Sequence, residues 1–330
     1  MLAFTIRRLL ASIPVLFFST LLVFLIVASS IDPLSPLRAR NPPIPQQTIQ
    51  AEANRLGLNH PLLQRYWDWL TGLILHGNWG TSVSPSYNIG QRLSSSFFVT
   101  FRLVILSILL SLILAIAVGV LTAVRQYSKV DYAATSVGFL FLSLPTFVFA
   151  ILLKSWAIQF NQAVRPNGPP LLATLFESSP NPPTDFLGKI GDSVSHLVLP
   201  TIVLSLISYA SWSRFQRSSM LEVLSSDYVR LARAKGLSRT KVLFRHALRN
   251  ALIPLSTQVA LDTAGLLGGA VITETIFEWH GMGYMFIQAI GNYDLYPLLA
   301  WLVVASSLVI VFNLLADLLY AVLDPRIRLA

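Results

Sequence analysis

Long apolar stretches alternate with polar segments along the whole chain. Six of these stretches approach the roughly 20 residues that an α-helix needs to cross about 30 Å of hydrocarbon. They are Leu9–Ser29, Val104–Val124, Ala133–Leu153, Leu197–Trp212, Val259–Phe277 and Leu298–Tyr320. The pattern predicts an all-α polytopic membrane protein with six transmembrane helices.

Three of the six predicted spans contain features that interrupt a simple apolar helix. The third carries Pro145 midway, which predicts a kink, and the fourth is short with Pro200 near its start. The fifth is rich in Gly and Ala, which favours close helix packing, and contains Asp262 and Glu274. Because a carboxylate within a span is costly, Asp262 and Glu274 are candidates for a translocation path, and helix-packing hydrogen bonds are the alternative role.

A polar, basic segment from Glu222 to Pro254 separates the fourth and fifth spans. Helix-favouring residues over Glu222–Lys235 and over Arg239–Asn250 predict two short helices. Gly236 would end the first helix, and Ser238 would cap the N-terminus of the second. A patterned, water-soluble segment between lipid-embedded helices indicates contact with something at the membrane surface.

The longest polar region lies between the first two spans. Residues 30–98 begin with a proline-rich linker and continue with helical patterns over Gln46–Gly57 and Pro61–Leu75. A second loop, 161–195, is rich in Pro, Gly, Asn and Ser and lacks the apolar periodicity of a core. The predicted organisation is therefore a first helix with its N-terminal flank (1–29), a helical extracytoplasmic insert (30–98), and a five-helix core (99–330) that contains the loop 214–254.

Composition and charge agree with a membrane protein. Of 330 residues, 54% are hydrophobic and 12% are charged, and mean hydropathy is +0.63. Lys and Arg are concentrated in alternate polar segments, and nine of them lie between Arg214 and Arg249. Because basic residues favour the cytoplasmic side, this distribution predicts that both termini are cytoplasmic. The net charge of +9 therefore indicates topology and requires no nucleic-acid partner. Arg7 and Arg8 before an apolar run also fit a signal peptide, but the run is long and no small-residue cleavage site follows, which favours an uncleaved anchor.

Catalytic motifs are missing from the sequence. It has no G-x-x-x-x-G-K-[ST] phosphate loop, no H-E-x-x-H, no G-x-S-x-G and no cysteine. We therefore expect no catalytic residue, no metal site and no cofactor bound by this chain.

The basic segment has two further interpretations. Its spacing resembles a helix-turn-helix, but spans on both sides would keep it out of a DNA groove. It could also be an amphipathic element drawn to anionic lipid.

Seven sequence segments decide in favour of a third interpretation. YVRLARAKGL followed by HALRNALIP resembles the cytoplasmic EAA coupling loop of ABC-transporter permeases, in the version of the oligopeptide/dipeptide class. Arg230 stands where the general motif has an acid, as is usual in that class. LGLNHP, YWDWL and HGNWGTS resemble the class's extracytoplasmic region, with Asn59 and Asn78 in place of Asp. GGAVITETIFEWHGMG and DLLYAVLDPRIR match two C-terminal motifs, with His280 and Met282 as departures.

The resemblance covers nearly the whole chain and implies a type I ABC importer permease fold in a bacterial inner (plasma) membrane. It implies a B-type permease subunit that translocates oligopeptides or dipeptides by alternating access, surrounded by membrane lipid. The implied partners are a homologous second permease, two cytoplasmic ABC ATPases that bind ATP and Mg, and an extracytoplasmic substrate-binding protein. The coupling-loop residues implied are Glu222, Asp227, Tyr228, Arg230, Ala232, Arg233, Ala234, Lys235, Gly236, His246, Asn250 and Pro254.

Other functions remain open on the sequence. Relatives of this class also carry nickel, glutathione or microcin-like peptides. A secondary transporter or channel would need no ATPase and would show inverted repeats, of which we find no convincing example.

The charge distribution makes a testable prediction about topology. A reporter fused after Arg239 should behave as cytoplasmic, and one fused after Gln50 should behave as exported, because basic residues concentrate on the inner side. Alkaline phosphatase and green fluorescent protein fusions measure the two outcomes. The reverse result at either position would contradict the predicted topology.

Overall fold

The computed structural model describes the backbone of residues 2–323 and, apart from those of residues 2–4, 264, 267–269 and 319–323, their side chains. This part of the chain is helical and contains no strand. The helices are α1 (Leu2–Ser30), α2 (Ser35–Arg38), α3 (Gln46–Arg55), α4 (Leu62–His76), α5 (Ile89–Val124), α6 (Lys129–Ser143), α7 (Thr146–Val164), α8 (Phe186–Leu224), α9 (Asp227–Ala234), α10 (Arg239–Lys241), a π-helix (Val242–Leu248), α11 (Arg249–Ile276), α12 (Met282–Gly291) and α13 (Leu295–Leu323).

Five helical stretches of the described chain are long and apolar enough to cross a membrane, one fewer than the sequence predicts. They are Thr5–Arg38, Ile89–Val124, Thr146–Val164, Phe186–Leu224 and Leu295–Leu318. The predicted fifth span, Val259–Phe277, lies almost wholly within α11, of which several side chains fall outside those that the structure describes. The all-helical class is confirmed, whereas the number of spans is not.

The predicted third span, Ala133–Leu153, is two helices and not one kinked helix. Leu144 is extended (φ −82°, ψ 125°) between α6 and α7, and Pro145 follows as the residue before α7. Proline disfavours helical geometry in the residue before it, which explains the break. By contrast, α8 continues through Pro200 for 39 residues, so the fourth predicted span is much longer than Leu197–Trp212.

The chain divides into two compact units. The first comprises Met1–Thr100 and His280–Ile310, and the second comprises Phe101–Trp279 and Val311–Ala330. In the first unit, α4 packs on α1 through buried Tyr66 and Phe24, and the Tyr66 hydroxyl lies 2.9 Å from the Thr20 hydroxyl. In the second unit, α8 is central and packs against α6, α7 and α11.

The HGNWGTS turn of the first unit depends on a glycine. Gly80 has φ +100°, and a Cβ added there would lie 2.6 Å from ring carbons of Tyr296. Only glycine satisfies both the conformation and the close approach. The neighbouring Ser82 hydroxyl and Val83 N–H donate to the carboxylate of Asp294, and burial raises the pKa of Asp294.

Candidate functional site: the segment between α8 and α11

The polar segment singled out by the sequence leaves α8 through a two-residue break and continues as α9. Ser226 is extended (φ −70°, ψ 153°) and precedes Asp227, the first residue of α9. Glu222 therefore lies on the last turn of α8. The single predicted helix Glu222–Lys235 is two helices, because the extended residue before Asp227 interrupts the helical hydrogen bonds.

The turn after α9 has the predicted geometry. Gly236 has φ +75°, and a Cβ added there would meet no atom within 4 Å. The requirement for glycine therefore comes from the backbone conformation and not from lack of space. The Leu237 N–H bonds to the Ala232 carbonyl across the turn (3.4 Å). Ser238 Oγ accepts from the Lys241 N–H (3.4 Å), so Ser238 caps the next helix as predicted.

The predicted second helix, Arg239–Asn250, is not a separate helix. It begins with one turn of α10, passes into the π-helix Val242–Leu248, and joins α11 without a non-helical residue. Pro254 therefore lies within α11 and does not end the segment. Apolar periodicity is too coarse to distinguish an α-helix from one turn of π-helix, which explains the error.

A small hydrophobic cluster attaches the segment to three long helices. We call this cluster the loop core. Its buried members are Ala123 of α5, Met220 of α8, Val229 and Ala232 of α9, Val242 and Ala247 of the π-helix, and Ala251 of α11. Four of the seven are alanines, whose small side chains let the helix backbones approach closely. The tip of the segment is thus packed against the ends of α5, α8 and α11.

The loop core separates residues that the sequence pattern had grouped together. Val223, Leu224, Tyr228, Leu231 and Ala232 recur at helical spacing along the predicted helix Glu222–Lys235. Ala232 is buried, whereas Tyr228 and Leu231 are 44% and 56% exposed, and Phe244 of the π-helix is 59% exposed. The segment therefore presents Tyr228, Leu231 and Phe244 as an apolar outer surface. Val229, a buried residue that the sequence analysis missed, could have been found from its three-residue spacing to Ala232.

The charged residues of α9 lie on the outside. Arg230 forms an ion pair with Asp227 one turn earlier, and both side chains are largely exposed. Arg233, Ala234 and Lys235 are also exposed. His246 is half-buried, and its carbonyl accepts a hydrogen bond from the side chain of exposed Asn250 (3.0 Å). Arg230, Arg233 and Lys235 are therefore accessible to an acidic partner without any change in the packing of the segment.

A partly buried ion pair, missed by the sequence analysis, joins α6 to α8 before the segment begins. Arg217 of α8 donates from Nε and Nη2 to the two oxygens of Asp131 on α6, at 2.8 and 2.7 Å. Asp131 also accepts from the Tyr127 N–H (2.9 Å). The hydrogen bonds from Arg217 hold the pKa of Asp131 below its ordinary value. Arg217 had been counted only as one of the inner basic residues, and no sequence pattern paired it with Asp131.

The two translocation-path candidates occupy different surroundings. Both oxygens of Asp262 are engaged, by Trp212 Nε1 at 2.7 Å and by Gln258 Nε2 at 2.9 Å. The Trp212 contact joins α11 to α8, as a helix-packing hydrogen bond would, whereas the Gln258 contact lies within α11. Glu274 is fully buried near the end of α11. Lys154 of α7 donates to the nearby Ile276 carbonyl (2.6 Å), so its ammonium caps the C-terminus of α11.

The C-terminal motif is only partly described. Asp317 is half-buried on α13. Asp324, Pro325, Arg326 and Arg328 lie outside the described residues.

Comparison with known families decides the class of the chain. Residues 115–329 match the family model for the binding-protein-dependent transport system inner membrane component, and residues 1–112 match the N-terminal model of such membrane components. The chain belongs to this family. It is accordingly a membrane component of a transport system, a non-catalytic role.

Several relatives of this permease align over almost its entire length. It is 38% identical over 324 residues to the oligopeptide transport system permease protein OppB of Mycobacterium tuberculosis, covering 98% of each chain. It is 38% identical to the oligopeptide transport system permease protein AppB of Bacillus subtilis, covering 99% of this chain and 100% of that protein. It is 36% identical to the dipeptide transport system permease protein DppB of Escherichia coli, covering 99% of each.

A solved structure shares the permease fold. Inward-facing conformations of the MetNI methionine ABC transporter match with a TM-score of 0.56 at 16% identity, over 72% of this chain and 99% of that one. At this identity the match shows the fold alone, and it agrees with the expected architecture of an ABC importer permease.

The loop core makes a prediction about packing. Ala232→Leu should destabilise the segment by about 1–3 kcal/mol, because extra methylenes must enter a filled space between α9 and the long helices. Ala234→Leu is the matched control, since Ala234 is exposed. Limited proteolysis of the purified permease measures the difference as faster cleavage near α9. Equal cleavage rates for the two variants would contradict the packing described.

The Asp131–Arg217 pair makes a second prediction. Asp131→Asn should cost about 2 kcal/mol, because it removes charge-assisted hydrogen bonds and leaves a partly buried guanidinium without its carboxylate. Asp227→Asn breaks an exposed pair and should cost less than about 1 kcal/mol. The melting temperature of the purified permease reports both changes.

The pH dependence of that difference follows from the lowered pKa of Asp131. A depressed folded-state pKa stabilises the protein above the unfolded value of about 4, and that stabilisation is lost as pH falls through the folded pKa. The gap in melting temperature between wild type and Asp131→Asn should be full near neutrality and should narrow in acid. A constant gap would show that the ion pair is not its source.

Proposed function

We propose that this permease is the transmembrane subunit of an ATP-driven importer for oligopeptides or dipeptides. The observation that carries the proposal is alignment over nearly the whole chain with relatives whose names specify oligopeptide or dipeptide transport. Nickel, glutathione and microcin-like peptides are less favoured, because none of these three relatives carries such a name. An ATP-independent transporter or channel is disfavoured by family membership.

The segment between α8 and α11 would bind a cytoplasmic ATPase subunit. Tyr228, Leu231 and Phe244 offer exposed apolar side chains, and Arg230, Arg233 and Lys235 add exposed positive charge along α9 and the residue after it. An apolar patch with a charged rim is typical of a protein–protein contact. ATP and Mg would be bound by that subunit.

The loop core would transmit the movement of the ATPase. Because α9 is packed against the ends of α5, α8 and α11, a displacement of α9 would move these helices together with it as a rigid body. ATPase closure would then reorient the helices of this subunit and of a homologous second permease around a central pathway. Substrate would arrive from an extracytoplasmic binding protein. Asp262 and Glu274 remain the candidates for residues along the pathway.

Transport by the assembled system tests the proposal. The permease, its genetic neighbours and the binding protein are reconstituted in proteoliposomes, and uptake of a labelled peptide library is measured by mass spectrometry. We expect uptake only with ATP on the ATPase side, and no ATP hydrolysis by the isolated permease, since its sequence has no phosphate loop. Uptake without nucleotide, or hydrolysis by the isolated permease, would refute the proposal.

The turn at Gly236 provides a sharper test of the mechanical role. Gly236→Val should be strained by roughly 1–2 kcal/mol in a left-handed conformation and should misdirect α9. Peptide uptake should fall while membrane insertion persists. Gly236→Asn is the control, because asparagine adopts this conformation more readily and should retain more transport. Equal uptake by wild type and Gly236→Val would argue against a mechanical role for the turn.

A further inference from the structure

We propose that the second unit binds the phosphate headgroup of an anionic phospholipid in a pocket between α6, α8 and α11. The pocket is a cavity of about 450 Å³, large enough for a phosphate and its glycerol. It lies beside the Asp131–Arg217 pair, which precedes the end of α8 at Leu224 and therefore precedes α9. Its lining residues are Thr135, Ser211, Arg214, Phe215, Arg217 and Gln258.

The charge of the pocket favours an anion. Arg214 has no carboxylate partner among the residues that the structure describes, and its guanidinium lies 4.5 Å from the centre of the Phe139 ring. Arg217 uses Nε and Nη2 for Asp131, so its positive charge is largely balanced. Arg214 therefore gives the pocket a net positive charge, and the Ser211 hydroxyl can donate to the same anion. Arginine is well suited to phosphate because its planar donors match two oxygens at once.

The surface of α6 beside the pocket favours an anion that carries an apolar chain. Phe139 lies one turn beyond Thr135 on α6 and is 52% exposed, and Leu140 beside it is also exposed. Tyr132, one turn before Thr135, is exposed as well. Acyl chains could lie along this apolar surface of α6 while the headgroup contacts Arg214. A free phosphate would use only the polar half of this arrangement.

The position along the chain fits a lipid of the inner leaflet. Arg214 and Arg217 open the basic stretch that the charge distribution places on the cytoplasmic side. Basic pockets between transmembrane helices on that side are suited to anionic headgroups. This site is distinct from the proposed contact surface for the ATPase. Its binding of lipid does not depend on which substrate the permease transports.

Native mass spectrometry of the complete transporter tests the proposal. The complex is titrated in detergent with phosphatidylglycerol and, separately, with phosphatidylcholine of the same chains. We expect phosphatidylglycerol to bind more tightly, and Arg214→Ala to weaken that binding about fivefold, the effect expected of one basic residue near a membrane surface. Arg214→Lys should retain part of the preference. Arg125→Ala is the matched control, because Arg125 is an exposed arginine at the end of α5 that does not line the pocket.

Three results would overturn the proposal. Equal binding of the two lipids, or equal loss in Arg214→Ala and Arg125→Ala, would show that the pocket does not select an anionic headgroup. Displacement of phosphatidylglycerol by inorganic phosphate at the same concentration would show a site for free anions. No lipid at all in the complete transporter would show that another subunit covers the pocket.

Discussion

The structure around the candidate site depends on the close packing of alanines in the loop core. All seven residues of the loop core are at most 6% exposed, and four of them are alanines. Small side chains bring backbones together, and a close-packed interior resists independent movement of its parts. A short helix of eight residues could not hold a fixed direction by itself. Its direction is set by three helices, each at least 28 residues long, that meet beneath it.

Polar contacts farther from α9 join the other helices of the second unit to one another. Asp131 and Arg217 join α6 to α8, and Asp262 with Trp212 joins α8 to α11. Lys154 then joins α7 to the far end of α11. Each bond satisfies a charged or polar group among apolar helices, where an unpaired group would be costly. Helices that are joined in this way can transmit a displacement of α9 along their length.

Much of this architecture could be predicted from the sequence, for physical reasons that differ between elements. The all-helical class follows from apolar stretches of membrane length, and the Gly236 turn and the Ser238 cap follow from local conformational preferences that need no tertiary context. The effect of Pro145 on Leu144 is also local, but it does not decide between a kink and a complete break. The unbroken passage of α8 through Pro200 and the π-helix have no local sequence pattern that predicts them. The Asp131–Arg217 pair joins residues 86 positions apart, and no local pattern contains that information. The basic character of the segment could therefore be predicted from its residue types. The burial of Val242 and Ala247 in the loop core could not, because it depends on tertiary packing.

Movement of α9 and the long helices as one body is tested most directly by a distance measurement. The sequence has no cysteine, so Ser218→Cys on α8 and Ala234→Cys on α9, both exposed positions outside the proposed contact surface for the ATPase, can carry spin labels as the only labelled sites of this subunit. Electron–electron resonance in the complete transporter gives their separation with and without ATP. If the helices move as one body, we expect the same distance distribution in both states, while peptide uptake shows that the transporter is cycling. A shift of that distribution on adding ATP would contradict it, because α9 would then move independently of α8.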